Sequence, residues 1–121
     1  MTAPSVPDAA SLRGELDVWI EEAGERIRAI AGGETLCQLG RHGGAPQDAK
    51  YEEGRLAAWL EARRLLARTT DPVELRETLD LWIGTWEGRR EAHQRRFGSA
   101  GGWVAYEEGG LDALRLVRGR L

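Results

Sequence analysis

One four-residue segment occurs twice in this chain of 121 residues, and the repeat extends well beyond those four letters. Tyr-Glu-Glu-Gly stands at 51–54 and again at 106–109, an offset of 55 residues. Eight of the sixteen positions from 51 to 66 are identical to their counterparts from 106 to 121. Because an internal repeat imposes the same supersecondary unit twice, it constrains the fold more than any other feature of the sequence.

A second matching segment precedes the first in each half of the chain. Leu-Asp-Val-Trp-Ile at 16–20 matches Leu-Asp-Leu-Trp-Ile at 79–83, an offset of 63 residues. The first copy is therefore eight residues longer than the second, and the extra residues fall between about Ala29 and Arg41. We predict copies at about 8–66 and 71–121 inside a single domain, 1–121, whose length is typical of one domain.

Apolar residues recur at three- and four-residue steps in both copies, which is typical of helices that bury one face. Asp71, Pro72 and Glu74 form a helix-start signal in which Asp71 caps and Glu74 completes a capping box. Four helices are predicted: from about Asp8 to Gly32-Gly33, from Gln47 or Asp48 to Arg68, from Pro72 to about Arg95, and from about Trp103 to Gly119. We therefore predict an all-α, four-helix assembly made of two tandem copies of a helical hairpin, paired within one chain or in a homodimer.

Composition narrows the classes of function. The net charge of −3 lacks the basic surplus that nucleic-acid binders usually carry. Cys37 is the single cysteine, so a reducing cytoplasm is the expected compartment. No apolar run approaches the ~20 residues of a membrane span, and the first eight residues lack the basic and apolar regions of a signal peptide. We expect a soluble cytoplasmic protein without a membrane partner, and the Arg-, Ala- and Gly-rich composition is typical of small bacterial or phage accessory proteins.

Residues that carry catalysis or bind metals form no recognisable constellation in the sequence. His93 is preceded at three residues by Arg90, so the Glu-x-x-His pattern of di-metal bundles is missing. Cys37 and His42 share a Gly-rich connection, with neither a second cysteine for zinc nor a third group that would orient a catalytic pair. We predict that the protein is not an enzyme and has no catalytic residues, no metal site and no cofactor.

Arginine and aromatic residues are concentrated at the end of the third helix and in the connection that follows it. The candidate partner-binding residues are Trp86, Arg90, Arg95, Arg96, Phe97 and Trp103. Trp and Arg dominate protein-interface hot spots, so we predict a small regulator or inhibitor that binds a partner protein. The same residue types bind single-stranded nucleic acid by phosphate contact and base stacking, which is the first alternative. A solvated helix end whose Arg residues favour the helix dipole is the simplest interpretation.

The repeated Tyr-Glu-Glu-Gly segment has two possible roles. Gly inside a helix costs roughly 1 kcal/mol relative to Ala, so Gly54 and Gly109 indicate a compensating close approach of two helices. In the other interpretation the neighbouring polar side chains line a shared pocket in the bundle interior that binds a small molecule. Those pocket residues are Tyr51, Glu52, Tyr106 and Glu107.

Overall fold

The structure is a computed structural model that describes residues 9–31, 47–98 and 102–121. The described residues contain no β-strand and form four α-helices: α1, Ala9–Ala31; α2, Gln47–Arg68; α3, Pro72–Phe97; and α4, Gly102–Gly119. This confirms the predicted all-α, four-helix fold, and each helix begins and ends within two residues of its predicted boundary. Most of the predicted insertion, with Cys37 and His42, lies outside the described residues.

The start of α3 follows the predicted capping signal only in part. The Asp71 carboxylate accepts a hydrogen bond from the Val73 amide at 3.0 Å, which satisfies one of the free N–H groups at a helix start. The capping box itself was a wrong prediction, because Glu74 accepts from the Thr69 hydroxyl at 2.9 Å. The Asp71 amide donates to that same hydroxyl oxygen at 3.2 Å. In a capping box the Glu74 carboxylate would accept directly from the Asp71 amide, whereas here the Thr69 hydroxyl lies between these two groups.

The end of α3 is set by a glycine. Gly98 has a φ of 74°, in the left-handed region that side chains with a Cβ rarely adopt. Its amide donates to the Gln94 carbonyl at 2.9 Å and closes the last turn of the helix. The helix therefore stops at Phe97, and α4 begins at Gly102 after a short connection.

The helices α2 and α4 form the central pair, with α1 packed on α2 and α3 packed on α4. We refer to α1 with α2 as the first hairpin and to α3 with α4 as the second hairpin. Ion pairs at matched positions join each outer helix to its central helix: Asp17 to Arg63 at 3.2 Å and Asp80 to Arg118 at 2.8 Å. Hydrogen bonds from arginine to a carbonyl oxygen, both 3.3 Å long, also match: Arg13 to Leu66 and Arg76 to Leu121. The outer helices therefore contact their central helices in the same antiparallel register.

The hydrophobic core is shared by all four helices. Its fully buried members are Leu12, Leu16, Ala23, Ala58, Trp59, Ala62, Leu65, Leu66, Leu75, Leu79, Ala113, Leu114 and Val117. Trp59 is the buried tryptophan, with 1% of its surface exposed. The repeat places Trp19 and Trp82 at matched positions of α1 and α3, and both are half-buried at the edge of the core.

The two central helices approach each other closely at the repeated glycines. A Cβ atom at Gly54 would overlap the Tyr106 carbonyl oxygen and lie 2.7 Å from the carbonyl carbon. A Cβ atom at Gly109 would overlap the Tyr51 carbonyl oxygen and lie 2.8 Å from its carbon. Because 54 meets 106 and 51 meets 109, the helices run antiparallel at this point. The close approach predicted from the repeated glycine is confirmed.

Candidate functional site

Three rings lie together where α3 ends and α4 begins, and we refer to His93, Phe97 and Trp103 as the aromatic corner. The His93 imidazole stacks at 6.1 Å from the Phe97 ring and at 6.0 Å from the Trp103 ring, measured between centroids. Phe97 is 53% exposed and Trp103 is 55% exposed. Two large aromatic surfaces therefore face solvent from adjacent helix ends, with one imidazole in contact with both.

Positive charge surrounds the aromatic corner. The Arg96 guanidinium lies 5.2 Å from the Phe97 ring centroid, and the Lys50 ammonium lies 5.8 Å from that of Trp103. Arg95 is exposed, and neither Arg95 nor Arg96 forms an ion pair within the described residues. Arg90 is half-buried, and its Nε atom is buried without a hydrogen-bond partner in the described chain. The predicted arginines thus split into one packed residue and two that face solvent.

A contact with a buried carboxylate holds the His93 ring of the aromatic corner in place. Glu107 is 2% exposed and pairs with Nδ1 of His93. The matched residue in the first hairpin, Glu52, pairs instead with Arg55 on its own helix at 3.0 Å. Gly110 stands at the position that corresponds to Arg55, so Glu107 has no such partner on α4. Sequence reasoning missed this role of His93, although the exchange of Arg55 for Gly110 was a signal that a second partner was needed.

Trp86 is a packing residue as well as a predicted contact residue. It is half-buried, and its ring stacks on Tyr106 with centroids 5.6 Å apart. A Cβ at Gly110 would overlap the Trp86 ring, so the indole lies directly against the α4 backbone. The matched positions in the first hairpin hold Ala23 and Arg55. Of the two matched positions, the large side chain is therefore on the central helix in the first hairpin, as Arg55, and on the outer helix in the second, as Trp86.

A cleft of about 340 Å³ opens between α2 and α3 beside this stack. It is lined by Ala57, Ala58 and Glu61 of α2, by Trp82, Thr85, Trp86 and Arg89 of α3, and by Tyr106 and Leu114 of α4. Of the four predicted pocket residues, Tyr106 is the one that lines this cleft. Glu52 and Glu107 are buried and paired with Arg55 and His93, respectively. The prediction that all four share one pocket remains untested.

The two repeated tyrosines differ in their hydrogen bonding, which predicts different losses of stability when each is replaced by Phe. The Tyr51 hydroxyl donates to Oδ2 of Asp112 at 2.5 Å, whereas no described residue accepts from the Tyr106 hydroxyl. A net hydrogen bond is worth about 1 kcal/mol. We therefore expect Tyr51→Phe to lower the free energy of unfolding by about 1 kcal/mol and Tyr106→Phe to leave it nearly unchanged. Urea denaturation of both variants checks this, and equal losses would contradict it.

The Tyr51 hydrogen bond also has a defined pH range. Burial, together with the hydrogen bond to Asp112, raises the pKa of Tyr51 from 10.0 to about 12. Because the folded pKa lies above the ordinary value, this contribution to stability is complete below about pH 10 and is lost as the pH rises toward 12. In Tyr51→Phe, this part of the alkaline pH dependence should be missing.

The parts of the chain that the structure describes hold no group of three or more His, Cys, Asp or Glu side chains close enough to bind a metal ion. No helix among them combines the length and the apolar character needed to cross a membrane. Comparison with protein-family models, curated proteins and solved structures finds no match to this chain. The aromatic corner and the cleft are therefore the two surface features on which a functional inference rests.

Proposed function

We propose that this protein is a small interaction module, a regulator or inhibitor, that binds a partner protein through the aromatic corner and its arginines. The observation that carries the proposal is the joint exposure of Phe97 and Trp103, each more than half exposed and both stacked on His93. Exposed aromatic residues beside arginine are typical of interface hot spots. No catalytic role enters this proposal, and a cytoplasmic bacterial or phage accessory protein remains the expected setting.

The corner is suited to binding because its side chains are already held in place. Phe97 and Trp103 each stack on His93, and His93 is paired with a buried carboxylate on α4. Ordering a flexible side chain at an interface costs roughly 0.5–1.5 kcal/mol. Rings that are stacked before the partner arrives avoid part of that cost, so a small surface of this kind can still bind well.

We also propose that the chain consists of two copies of one hairpin, of which the second has diverged toward binding. The matched ion pairs of the outer helices support the two copies. The divergence is supported by the position of His93, where the first copy has Ile30. Replacing an apolar residue with one that pairs with Glu107 and stacks on two exposed rings converts a packing position into part of a surface.

Nucleic acid is the second candidate partner, favoured by the two exposed arginines. Arg95 and Arg96 have no ion pair among the described residues, and Arg96 lies over the Phe97 ring. Phosphate contacts give an affinity that falls steeply with salt. An apolar protein interface responds much less, so salt dependence separates the two partners.

The test is a tagged pull-down from an extract of the source organism at low and at high salt, with mass spectrometry and absorbance on the eluate. The wild-type chain is compared with Phe97→Ser/Trp103→Ser and with a matched control, Val73→Ser/Leu81→Ser, whose side chains on α3 are also exposed, at 56% and 69%. We expect one stoichiometric protein that survives high salt with the wild type and the control. The corner variant should capture at least about tenfold less of this protein, since two hot-spot side chains are removed.

Two outcomes would contradict the proposal. Capture of the same protein by the corner variant would place the binding surface elsewhere. Nucleic acid that elutes as the salt rises, with no protein at stoichiometric yield, would favour the second candidate. Light scattering of the pure chain at the same concentrations identifies the case in which the partner is a second copy of this chain.

A further inference from the structure

By the repeat, the cleft between α2 and α3 corresponds to a region between α4 and α1, and the two differ in a consistent way. In that region, the Tyr51 hydroxyl of α2 donates to Asp112 of α4 at 2.5 Å. The nearby Arg26 guanidinium pairs with Glu22 at 3.6 Å and lies 3.9 Å from Glu52. Both side chains therefore have a protein carboxylate within 4 Å, although the Nη1 atom of Arg26 has no hydrogen-bond partner among the described residues.

The second hairpin keeps the donors and replaces their acceptors. Tyr106 and Arg89 occupy the positions of Tyr51 and Arg26. The position of Asp112 holds Ala57, and the position of Glu22 holds Thr85. Glu107, the counterpart of Glu52, is paired with His93 instead. Glu53 of α2, whose charge acts on Tyr106, is paired with Lys50 at 3.1 Å. Within the described chain, neither the Tyr106 hydroxyl nor the Arg89 guanidinium has a carboxylate partner.

These two donors belong to an aromatic stack at the wall of the cleft. The Arg89 guanidinium lies 4.6 Å from the Trp86 ring centroid, and the same indole stacks on Tyr106 at 5.6 Å. Arg89, Trp86, Tyr106 and Ala57 all line the cleft. Its volume of about 340 Å³ falls within the range of roughly 300–1,000 Å³ that is usual for small-molecule sites.

We propose that this cleft binds a small aromatic carboxylic acid, whose carboxylate takes the place that protein carboxylates occupy beside Tyr51 and Arg26. Arg89 supplies the charge that binds the carboxylate, and the Tyr106 hydroxyl is a second donor. Burial, with a smaller effect of the Glu53 carboxylate, raises the pKa of Tyr106 above its ordinary value of 10.0, so loss of this proton requires a more alkaline solution. The apolar body of the ligand packs against Trp82 and Trp86.

The other side of the cleft favours a single negative charge on the ligand. Glu61 of α2 is in the lining and is exposed, with an ion pair to Arg64 at 2.9 Å. A second carboxylate on the ligand would approach Glu61 as Arg89 binds the first one. Like charges at close range repel, so a monocarboxylate should bind more tightly than the corresponding dicarboxylate.

The experiment follows the indole N–H signals in proton–nitrogen NMR spectra of the full chain during titration with phenylacetate, 1-naphthoate and indole-3-carboxylate. Phenylacetamide is the neutral control for phenylacetate. We expect the acids to shift the signals of Trp82 and Trp86 and to leave that of Trp19 in place. The amide should bind at least about tenfold more weakly, because a charged hydrogen bond contributes roughly 1.5–3 kcal/mol.

Three variants separate this site from an unspecific apolar surface. Arg89→Gln removes the cation, and Ala57→Asp places a carboxylate beside Tyr106 as Asp112 stands beside Tyr51, so each should weaken binding of the acids by about tenfold or more. Tyr51→Phe is the matched control, since it removes a tyrosine hydroxyl outside the cleft and should leave the affinity unchanged. Arg89 and Ala57 are not core residues, and circular dichroism confirms that these variants fold.

The proposal is overturned by any of three results: none of the three acids shifts Trp82 or Trp86, the amide binds as tightly as phenylacetate, or Ala57→Asp binds like the wild type. It does not depend on the aromatic corner. The Phe97→Ser/Trp103→Ser variant should therefore still bind the acids, which makes failure of the cleft and failure of the corner separately visible.

Discussion

Replacing Gly54 or Gly109 with alanine should lower the free energy of unfolding by about 3 kcal/mol or more, at the upper end of what overpacking costs. The added Cβ would overlap a carbonyl oxygen of the facing helix in each case, and the next backbone atom is only 2.7 Å or 2.8 Å away. A flexible side chain could rotate aside, but a helix backbone cannot. The two central helices would have to separate along their most extensive contact.

Gly84→Ala is the matched control, because it is the same substitution in the interior of a helix. A Cβ at Gly84 meets no atom within 4 Å. Helix propensity then favours Ala by about 1 kcal/mol, so this variant should be more stable than the wild type. Urea denaturation of the three variants measures the difference. A Gly54→Ala variant as stable as Gly84→Ala would show that the close crossing is not as described.

The second large effect is a coupling between Gly110 and Trp86. Gly110→Ala should lower the free energy of unfolding by about 2 kcal/mol, because its Cβ would overlap the indole. Trp86→Ala should cost about 2–3 kcal/mol, less than a fully buried tryptophan, since its ring is half-buried. With the indole gone, the alanine at 110 meets no ring and gains helix propensity instead. The double variant should therefore be no less stable than Trp86→Ala alone.

The double-mutant cycle measures this coupling directly, with an expected interaction energy of about 2 kcal/mol or more. Additive losses would mean that the indole and the α4 backbone are not in contact. Trp103→Ala is the control, because its ring is more than half exposed, and it should change stability by no more than about 0.5 kcal/mol. If Trp103→Ala unfolded the protein, the aromatic corner would be part of the core and the proposed binding surface would be lost.

Much of the fold followed from local patterns in the sequence. The apolar spacing predicted all four helices, and Asp71 marked the start of α3 through a contact two residues away. The capping box failed because Thr69, before the helix, competes for the same groups. A capping side chain reaches only a few neighbouring residues, so the predicted helix boundaries differ from the observed ones by no more than two residues.

The candidate site was predictable only where its residues are close in the sequence. Phe97 and Trp103 flank one short connection and both are exposed, while their role as contact residues stays a prediction. The supporting contact of His93 with Glu107 joins different helices, and no spacing rule points to it. The repeat did hold a clue, since Arg55 and Gly110 differ at matched positions. That clue has meaning only once the pairing of Arg55 with Glu52 is known.

The sequence by itself determined the four helices, their boundaries and the need for a close contact at Gly54 and Gly109. These features depend on backbone preferences and on the periodicity of buried side chains, which act over a few residues. The tertiary structure alone decided that Trp59 is the buried tryptophan and that Trp19 and Trp82 lie at the edge of the core. It also decided that a cleft opens between α2 and α3. The physical reason is that burial and cavities depend on how whole helices pack against one another, and the same apolar stripe is compatible with several such arrangements.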